Sequence, residues 1–61
     1  MASLTKQELL TLKQSILQEK TLIKLFETAA KETSDPVLRG KWQEIAAAHQ
    51  THFKKLLNFL E

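Results

Sequence analysis

The chain has 61 residues and no cysteine, and nine Lys and Arg against seven Asp and Glu give it a formal charge of +2. The lack of cysteine excludes disulfides and thiolate metal sites, and the small charge gives no reason to expect a nucleic acid partner. A domain this short buries so little surface that it usually depends on a metal or a partner chain. The start "MASLTKQELL" has no signal-peptide core and no apolar run approaches about eighteen residues, so we expect a cytoplasmic protein without membrane contact.

The first predicted element is a helix over residues 6–33. Thr5 is placed to cap it, and Glu8 follows three residues later, which completes a capping box. Apolar side chains then recur at the three- and four-residue spacing of a bundle seam, at Leu9, Leu12, Ile16, Ile23, Phe26 and Ala30. Glu19 occupies the one vacant position of this series.

The chain divides at "KETSDPVLRG", which holds its only proline and only glycine. We predict a turn over residues 34–36, with Pro36 at a favoured first helical position and Asp35 or Ser34 as the cap. A second helix then runs to about residue 60. Because the connection is this short, the two helices must form an antiparallel hairpin, with the whole chain as a single all-α domain.

The second helix repeats the seam spacing at Leu38, Trp42, Ile45, Leu56 and Phe59. Its two missing positions are His49 and His52. In a hairpin with its turn near residue 34, residues whose numbers sum to about 69 lie at one level. Glu19 therefore faces the space between the two histidines, and the sequence predicts a carboxylate and two imidazoles on one layer.

Two interpretations of this layer stay open. A buried carboxylate costs several kcal/mol unless it is paired or bound to a cation. Glu19, His49 and His52 are suitable ligands for zinc or iron, which makes them a candidate metal site. Alternatively, they form a Glu–His hydrogen-bonded layer that sets the register of the bundle.

A two-helix hairpin cannot cover its own seam, so we expect a homodimer that forms a four-helix bundle. A two-fold dimer would bring two copies of Glu19 and four histidines toward one layer.

Two further patterns lie outside the seam. Leu10 and Leu17 lie opposite Glu19 on the helical wheel, either as scattered exposed leucines or as a second contact surface. Lysines repeat every seven residues, as a solvated flank or a binding strip, at Lys6, Lys13 and Lys20.

The segment "ILQEKTLIKLFETAAKETSDPVLRGKWQEIAAAHQTHFKKLLNFL" (16–60) resembles the short ferritin-like proteins of spore-forming bacteria that are grouped with the spore coat F family. The similarity is carried by "QEKTLIKLF", "SDPVLRGKW" and "AHQTHFKKLL". It implies a ferritin-like four-helix bundle, here built from two hairpins. It also implies a metal motif of one Glu followed by Glu-x-x-His, in which Glu19 matches the first position and His52 the histidine.

The chain departs from that motif at His49, which stands where the second glutamate is expected. The departure removes the carboxylate that bridges two irons, and so argues against di-iron oxygen chemistry. Glu44 does not replace it, because it points about 140° away from His49 on the wheel. No Ser/His/Asp arrangement is evident, which makes nucleophilic hydrolysis unlikely. The resemblance implies a non-enzymatic assembly protein such as a spore-coat component, and we expect it in the cytoplasm or the spore coat. The alternative is a metal-binding or redox bundle of diminished ferritin type.

Overall fold

The structure, a computed structural model, describes residues 3–60, and within this range it is an antiparallel hairpin of two helices. Helix α1 comprises Lys6–Glu32 and helix α2 comprises Pro36–Asn58. The helices pack against each other, and no strand occurs within residues 3–60. The predicted all-α hairpin is confirmed.

The start of α1 is a complete capping box, as the sequence predicts. The backbone N–H of Glu8 donates to the Thr5 hydroxyl at 3.0 Å, and the backbone N–H of Thr5 donates to the Glu8 carboxylate at 2.9 Å. The backbone N–H of Thr5 has the larger effect and the Thr5 hydroxyl the smaller one, and together they hold the pKa of the Glu8 carboxyl below its usual value. Local hydrogen bonds therefore fix the first residue of the helix without help from the rest of the fold.

Helix α1 ends at Glu32, one residue before the predicted end. Thr33 takes an extended conformation, with φ −77° and ψ 141°, while its N–H still donates to the Ala29 carbonyl. Its hydroxyl accepts a hydrogen bond from the N–H of Asp35 at 3.1 Å. Asp35 is also extended, as expected for a residue that precedes a proline. The helical conformation therefore stops at Glu32 and begins again at Pro36.

Arg39 ties the two helices together at the turn. Its Nε donates to the Ala30 carbonyl at 3.2 Å, and its Nη2 donates to the Thr33 carbonyl at 2.7 Å. The last carbonyls of a helix have no partner within the helix, and a cationic side chain satisfies them well. Residue spacing does not predict this contact, because it joins two elements.

The start of α2 identifies its cap. The Asp35 carboxylate accepts hydrogen bonds from the N–H groups of Val37 at 2.9 Å and Leu38 at 3.2 Å. Of the two candidates, Asp35 is therefore the cap and Ser34 is not. Asp35 is well suited to this position because the positive end of the helix dipole also stabilises a negatively charged carboxylate.

Helix α2 ends at Asn58, two residues before the predicted end near residue 60. The N–H of Phe59 donates to the Leu56 carbonyl, and the N–H of Leu60 donates to the Leu57 carbonyl. These bonds span three residues rather than four, so the chain tightens into a turn where the helix would otherwise continue.

The hairpin is a single layer of helices without a closed core. Of the described residues, only Ala30 and Ala46 are buried, at 4% and 5% exposure. Leu38, Ile45 and Phe59, which the spacing places in the seam, each remain more than a third exposed. Each apolar stripe is wider than one neighbouring helix can cover. Within residues 3–60, neither helix has a stretch long and apolar enough to cross a membrane.

Candidate metal-binding site

Glu19 stands at the midpoint of α1, with thirteen residues of the helix before it and thirteen after it. Ile16 and Ile23 lie about one turn away on either side, in the same seam. His49 and His52 come from α2, three residues apart, and lie at the same level. The layer is therefore held between apolar turns and lies far from both frayed ends of the hairpin.

The three side chains that the sequence places on one layer meet in the structure. His49 Nδ1 lies 2.5 Å from Glu19 Oε1 and 3.2 Å from Oε2, a short contact typical of a bond to a charged acceptor. His52 Nδ1 lies 3.7 Å from Glu19 Oε1, which is too long for a hydrogen bond. Glu19 is the common partner of both imidazoles.

Aromatic contacts fix the plane of the His49 ring. The Phe26 ring stacks on it with centroids 5.9 Å apart and an angle of 10° between the planes. The His52 ring meets it edge-on, with centroids also 5.9 Å apart and planes at 83°. The seam spacing identified Phe26 only as a core residue. Its role in orienting His49 depends on how the two helices stack, which periodicity does not give.

The three side chains of the layer become more exposed in the order Glu19, His49, His52. The Glu19 side chain is 13% exposed, that of His49 24% and that of His52 60%. A groove lined by Ser15 and Gln18 reaches Glu19 and His52 from the open side. The carboxylate is therefore shielded, whereas the second imidazole is open to solvent, and Lys55 lines the same groove.

The donor set fits a first-row divalent metal. One ligand atom from each of the three residues lies within 4.8 Å of the others. Tetrahedral zinc, with bonds of about 2.0–2.2 Å, requires its ligand atoms about 3.4 Å apart. Side-chain rearrangement would therefore have to accompany metal binding, and of the three side chains that of His52 is the most exposed. Three protein ligands would leave a coordination position for water or for a group from another chain.

The same geometry also supports a metal-free layer. With its proton on Nδ1, His49 donates to Glu19, and the carboxylate has the partner that burial requires. No buried side-chain nitrogen or oxygen among residues 3–60 lacks a hydrogen-bond partner. Glu19 can therefore serve in two ways, as a ligand or as the carboxylate that orients a ligating histidine.

The other polar candidate of α2 lies outside this group. Glu44 is exposed and does not join Glu19 and the histidines, as its position on the helical wheel predicts. Leu10 and Leu17, the proposed second contact surface, are 51% and 65% exposed. Both remain free for contacts outside the hairpin.

Comparison of the chain with protein-family models, curated proteins and solved structures gave no match. The function is therefore inferred from the residues and their geometry. Two features matter most, namely the Glu19 layer and the number of apolar side chains that the hairpin leaves uncovered.

Proposed function

We propose that this chain is a small non-enzymatic assembly protein whose hairpin folds and pairs with a second copy in a single event, forming a four-helix bundle. The observation that carries the proposal is the burial of only Ala30 and Ala46 among the described residues. An isolated hairpin with two buried alanines gains too little from apolar burial to offset the entropy of ordering about fifty residues.

The exposed area supports the same conclusion. The hairpin exposes 4972 Å², whereas a compact monomer of 7.0 kDa is expected to expose about 4,000 Å². The excess is close to the roughly 800 Å² that each partner contributes to a stable interface. A single partner chain of similar size would therefore bury about as much surface as the hairpin exposes beyond that of a compact monomer.

Sedimentation equilibrium of the tag-free chain tests the assembly. We expect a species of twice 7.0 kDa at about micromolar concentration, with helix content lost as the dimer dissociates. A cooperatively folded monomer would contradict the proposal.

The resemblance of residues 16–60 to spore coat F proteins supports placing this assembly in a spore coat. In such a setting Leu10 and Leu17 supply contacts to further coat proteins, since both are exposed on the outer side of α1. Immunogold labelling of spores with an antibody against the chain tests the location. Label confined to the cytoplasm of vegetative cells would contradict it.

Metal binding is a second candidate function, favoured by the convergence of Glu19, His49 and His52 within 4.8 Å. We propose zinc, or ferrous iron under anaerobic conditions, as the bound ion. No carboxylate stands at position 49 to bridge two irons, so a binding or redox role of diminished ferritin type fits the residues better than di-iron oxygen chemistry.

Calorimetric titration of tag-free protein with Zn²⁺ tests this second candidate. His49→Ala and His52→Ala should each abolish binding, whereas Glu44→Ala should not, since Glu44 lies outside the group. Binding should weaken as the pH falls, because an imidazole must be neutral to coordinate a metal. No binding at roughly a few hundred micromolar metal would remove the candidate and leave the layer as architecture.

A further inference from the structure

The small net charge of the chain hides an uneven distribution of charge. All five lysines of α1 lie within about 40° of arc on one side of that helix. A groove between the helices is lined by Lys31 of α1 and by Arg39, Gln43 and Gln50 of α2, so these residues lie on the same side of the hairpin. Lys54 follows Gln50 by about one helical turn and belongs to this side as well. We call it the basic face, and its cations are Lys6, Lys13, Lys20, Lys24, Lys31, Arg39 and Lys54.

Negative charge is nearly absent from the basic face. Within residues 3–60, this face carries seven of the nine Lys and Arg but only one of the six Asp and Glu, namely Glu27. The rest of that range carries two lysines, Lys41 and Lys55, against five carboxylates. No lysine or arginine in the same range forms an ion pair with a carboxylate. The formal charge of +2 is therefore the difference between a strongly positive side and a negative remainder.

The basic face is one broad side of a flat molecule. The Cα atoms of the hairpin span 46 × 16 × 11 Å, with the two helices side by side across the width. Lys6 is the first residue of α1 and Lys31 the last but one, so the row of lysines runs for about 38 Å. Arg39 is held at one end of the face by its hydrogen bonds to the Ala30 and Thr33 carbonyls. Positive groups therefore line most of the length of the molecule on one flat side.

We propose that the basic face is a docking surface for a membrane that contains anionic lipids, with the hairpin lying flat on the lipid headgroups. This inference goes beyond the proposed assembly function and does not depend on it. It also departs from the expectation of no membrane contact, which was based on the lack of a spanning segment and on sequence features of the whole chain. Contact at the headgroups requires neither a spanning segment nor a large net charge.

Shape and charge together favour a lipid surface over a nucleic acid. An anionic bilayer presents its negative charge in a plane and attracts clusters of Lys and Arg. A flat face brings all its cations to such a plane at once. The strands of a duplex wind round it once in about 34 Å, so a face about 38 Å long meets phosphates only where the strands cross it. The groove of the basic face has no aromatic side chain on which a single-stranded base would stack.

The proposed dimer leaves room for this contact. Two copies that packed basic face against basic face would bring like charges together, which is unfavourable. A two-fold dimer that buries another part of the surface keeps one basic face on each copy. Membrane docking and pairing therefore use different surfaces and are measured separately.

Sedimentation of the tag-free chain with lipid vesicles tests the proposal, in the presence of a chelator. One set of vesicles contains phosphatidylcholine alone, and the other contains about 30% phosphatidylserine. We expect the chain to bind the anionic vesicles at least about tenfold more tightly. That preference should disappear at about 0.5 M NaCl, because salt screens charges that are exposed to solvent.

A matched pair of double variants separates the face from the net charge. Lys13→Gln with Lys20→Gln removes two exposed cations from the basic face. Since each cation near an anionic surface is worth about fivefold in affinity, binding should weaken about 25-fold. Lys41→Gln with Lys55→Gln removes the same charge from the rest of the surface, where it lies about a Debye length or more from the lipid. Its affinity should stay within about threefold of wild type, and circular dichroism checks that both variants are folded.

A fluorescent label reports which side of the hairpin faces the lipid, and it keeps the test decisive if the lysine variants change the fold. The chain has no cysteine, so a label can be attached at a single position. Gln43 and Gln18 are exposed glutamines that line grooves on opposite sides of the hairpin. On anionic vesicles that carry a quencher on the headgroup, the label at Gln43→Cys should be quenched more strongly than the label at Gln18→Cys.

Three results would overturn the proposal. They are equal binding to the two kinds of vesicle, equal loss of affinity in the two double variants, and stronger quenching at Gln18→Cys. Duplex DNA at the same phosphate concentration is the competitor. If the chain binds the duplex more tightly than the anionic vesicles, with the same dependence on Lys13 and Lys20, the lipid is the wrong occupant and the proposal is also overturned. None of these results changes the dimer, which is measured without vesicles.

Discussion

The turn and the Glu19 layer satisfy their polar groups in different ways. At the turn, the side-chain hydrogen bonds of Thr33 and Asp35 join residues two or three apart, and only those of Arg39 reach back from α2 to the end of α1. In the layer, Glu19 and His49 are thirty residues apart and meet only because the helices pack. The helix start at the turn is therefore specified locally, whereas the layer depends on tertiary structure. In the layer, Glu19 and His49 form a hydrogen bond with each other, and both are also candidate metal ligands.

The largest effect should come from a second carboxylate beside the layer. Ile16→Asp places a charge about one turn from Glu19 in the apolar seam, at a cost of several kcal/mol, which is comparable to the whole stability of a small domain. We expect loss of both helicity and dimer, measured by circular dichroism and sedimentation. Gln14→Asp, at an exposed position of the same helix, is the control and should stay folded.

Removing the cap of α2 should have a smaller, local effect. Asp35→Ala leaves the N–H groups of Val37 and Leu38 without their acceptor and should cost about 1 kcal/mol, a fall in Tm of roughly 4–8 °C. Thermal unfolding at fixed protein concentration measures it. Ser34→Ala should change Tm little, since Ser34 is not the cap; equal losses for the two variants would contradict this assignment.

The elements could be predicted from the sequence because their signals are local. Thr5 with Glu8 and Asp35 with Pro36 mark the helix starts, and the vacancies in the two seams gave the Glu19, His49 and His52 layer. The helix ends differ by one or two residues, since Thr33 is extended and the N–H of Phe59 donates three residues back, to Leu56. Arg39 at the end of α1 and Phe26 against His49 could not be foreseen, because both contacts depend on how the helices are placed in space.

Replacing the layer's carboxylate in the absence of metal should have less effect than losing the cap. Glu19→Gln keeps an acceptor for His49, and Glu19→Leu replaces a buried polar pair with an apolar contact, a change that is often neutral or stabilising. We expect neither variant to lower the free energy of unfolding by more than about 1 kcal/mol. Chemical denaturation in the presence of a chelator measures this. A large loss for Glu19→Leu would contradict the layer's role in setting register.

The smallest effect should be a pH dependence from Glu8. Its pKa is lowered in the folded chain from 4.5, so the unfolded chain binds more protons just below that value. The contribution is therefore complete above about pH 4.5 and is lost as pH falls through the lowered pKa. Glu8→Gln, which keeps the capping box, should flatten this part of the Tm profile between about pH 5 and 3. An unchanged profile would show that Glu8 makes no such contribution.

The central claim is that folding and pairing are one event, and the Tm of the tag-free chain as a function of its concentration tests it most directly. If a second copy covers the apolar side chains that the hairpin leaves exposed, Tm should rise steadily across about a hundredfold range of protein concentration, because mass action favours the folded dimer. A Tm that stays constant over that range, with a cooperative transition, would show that the hairpin folds alone and would contradict the account.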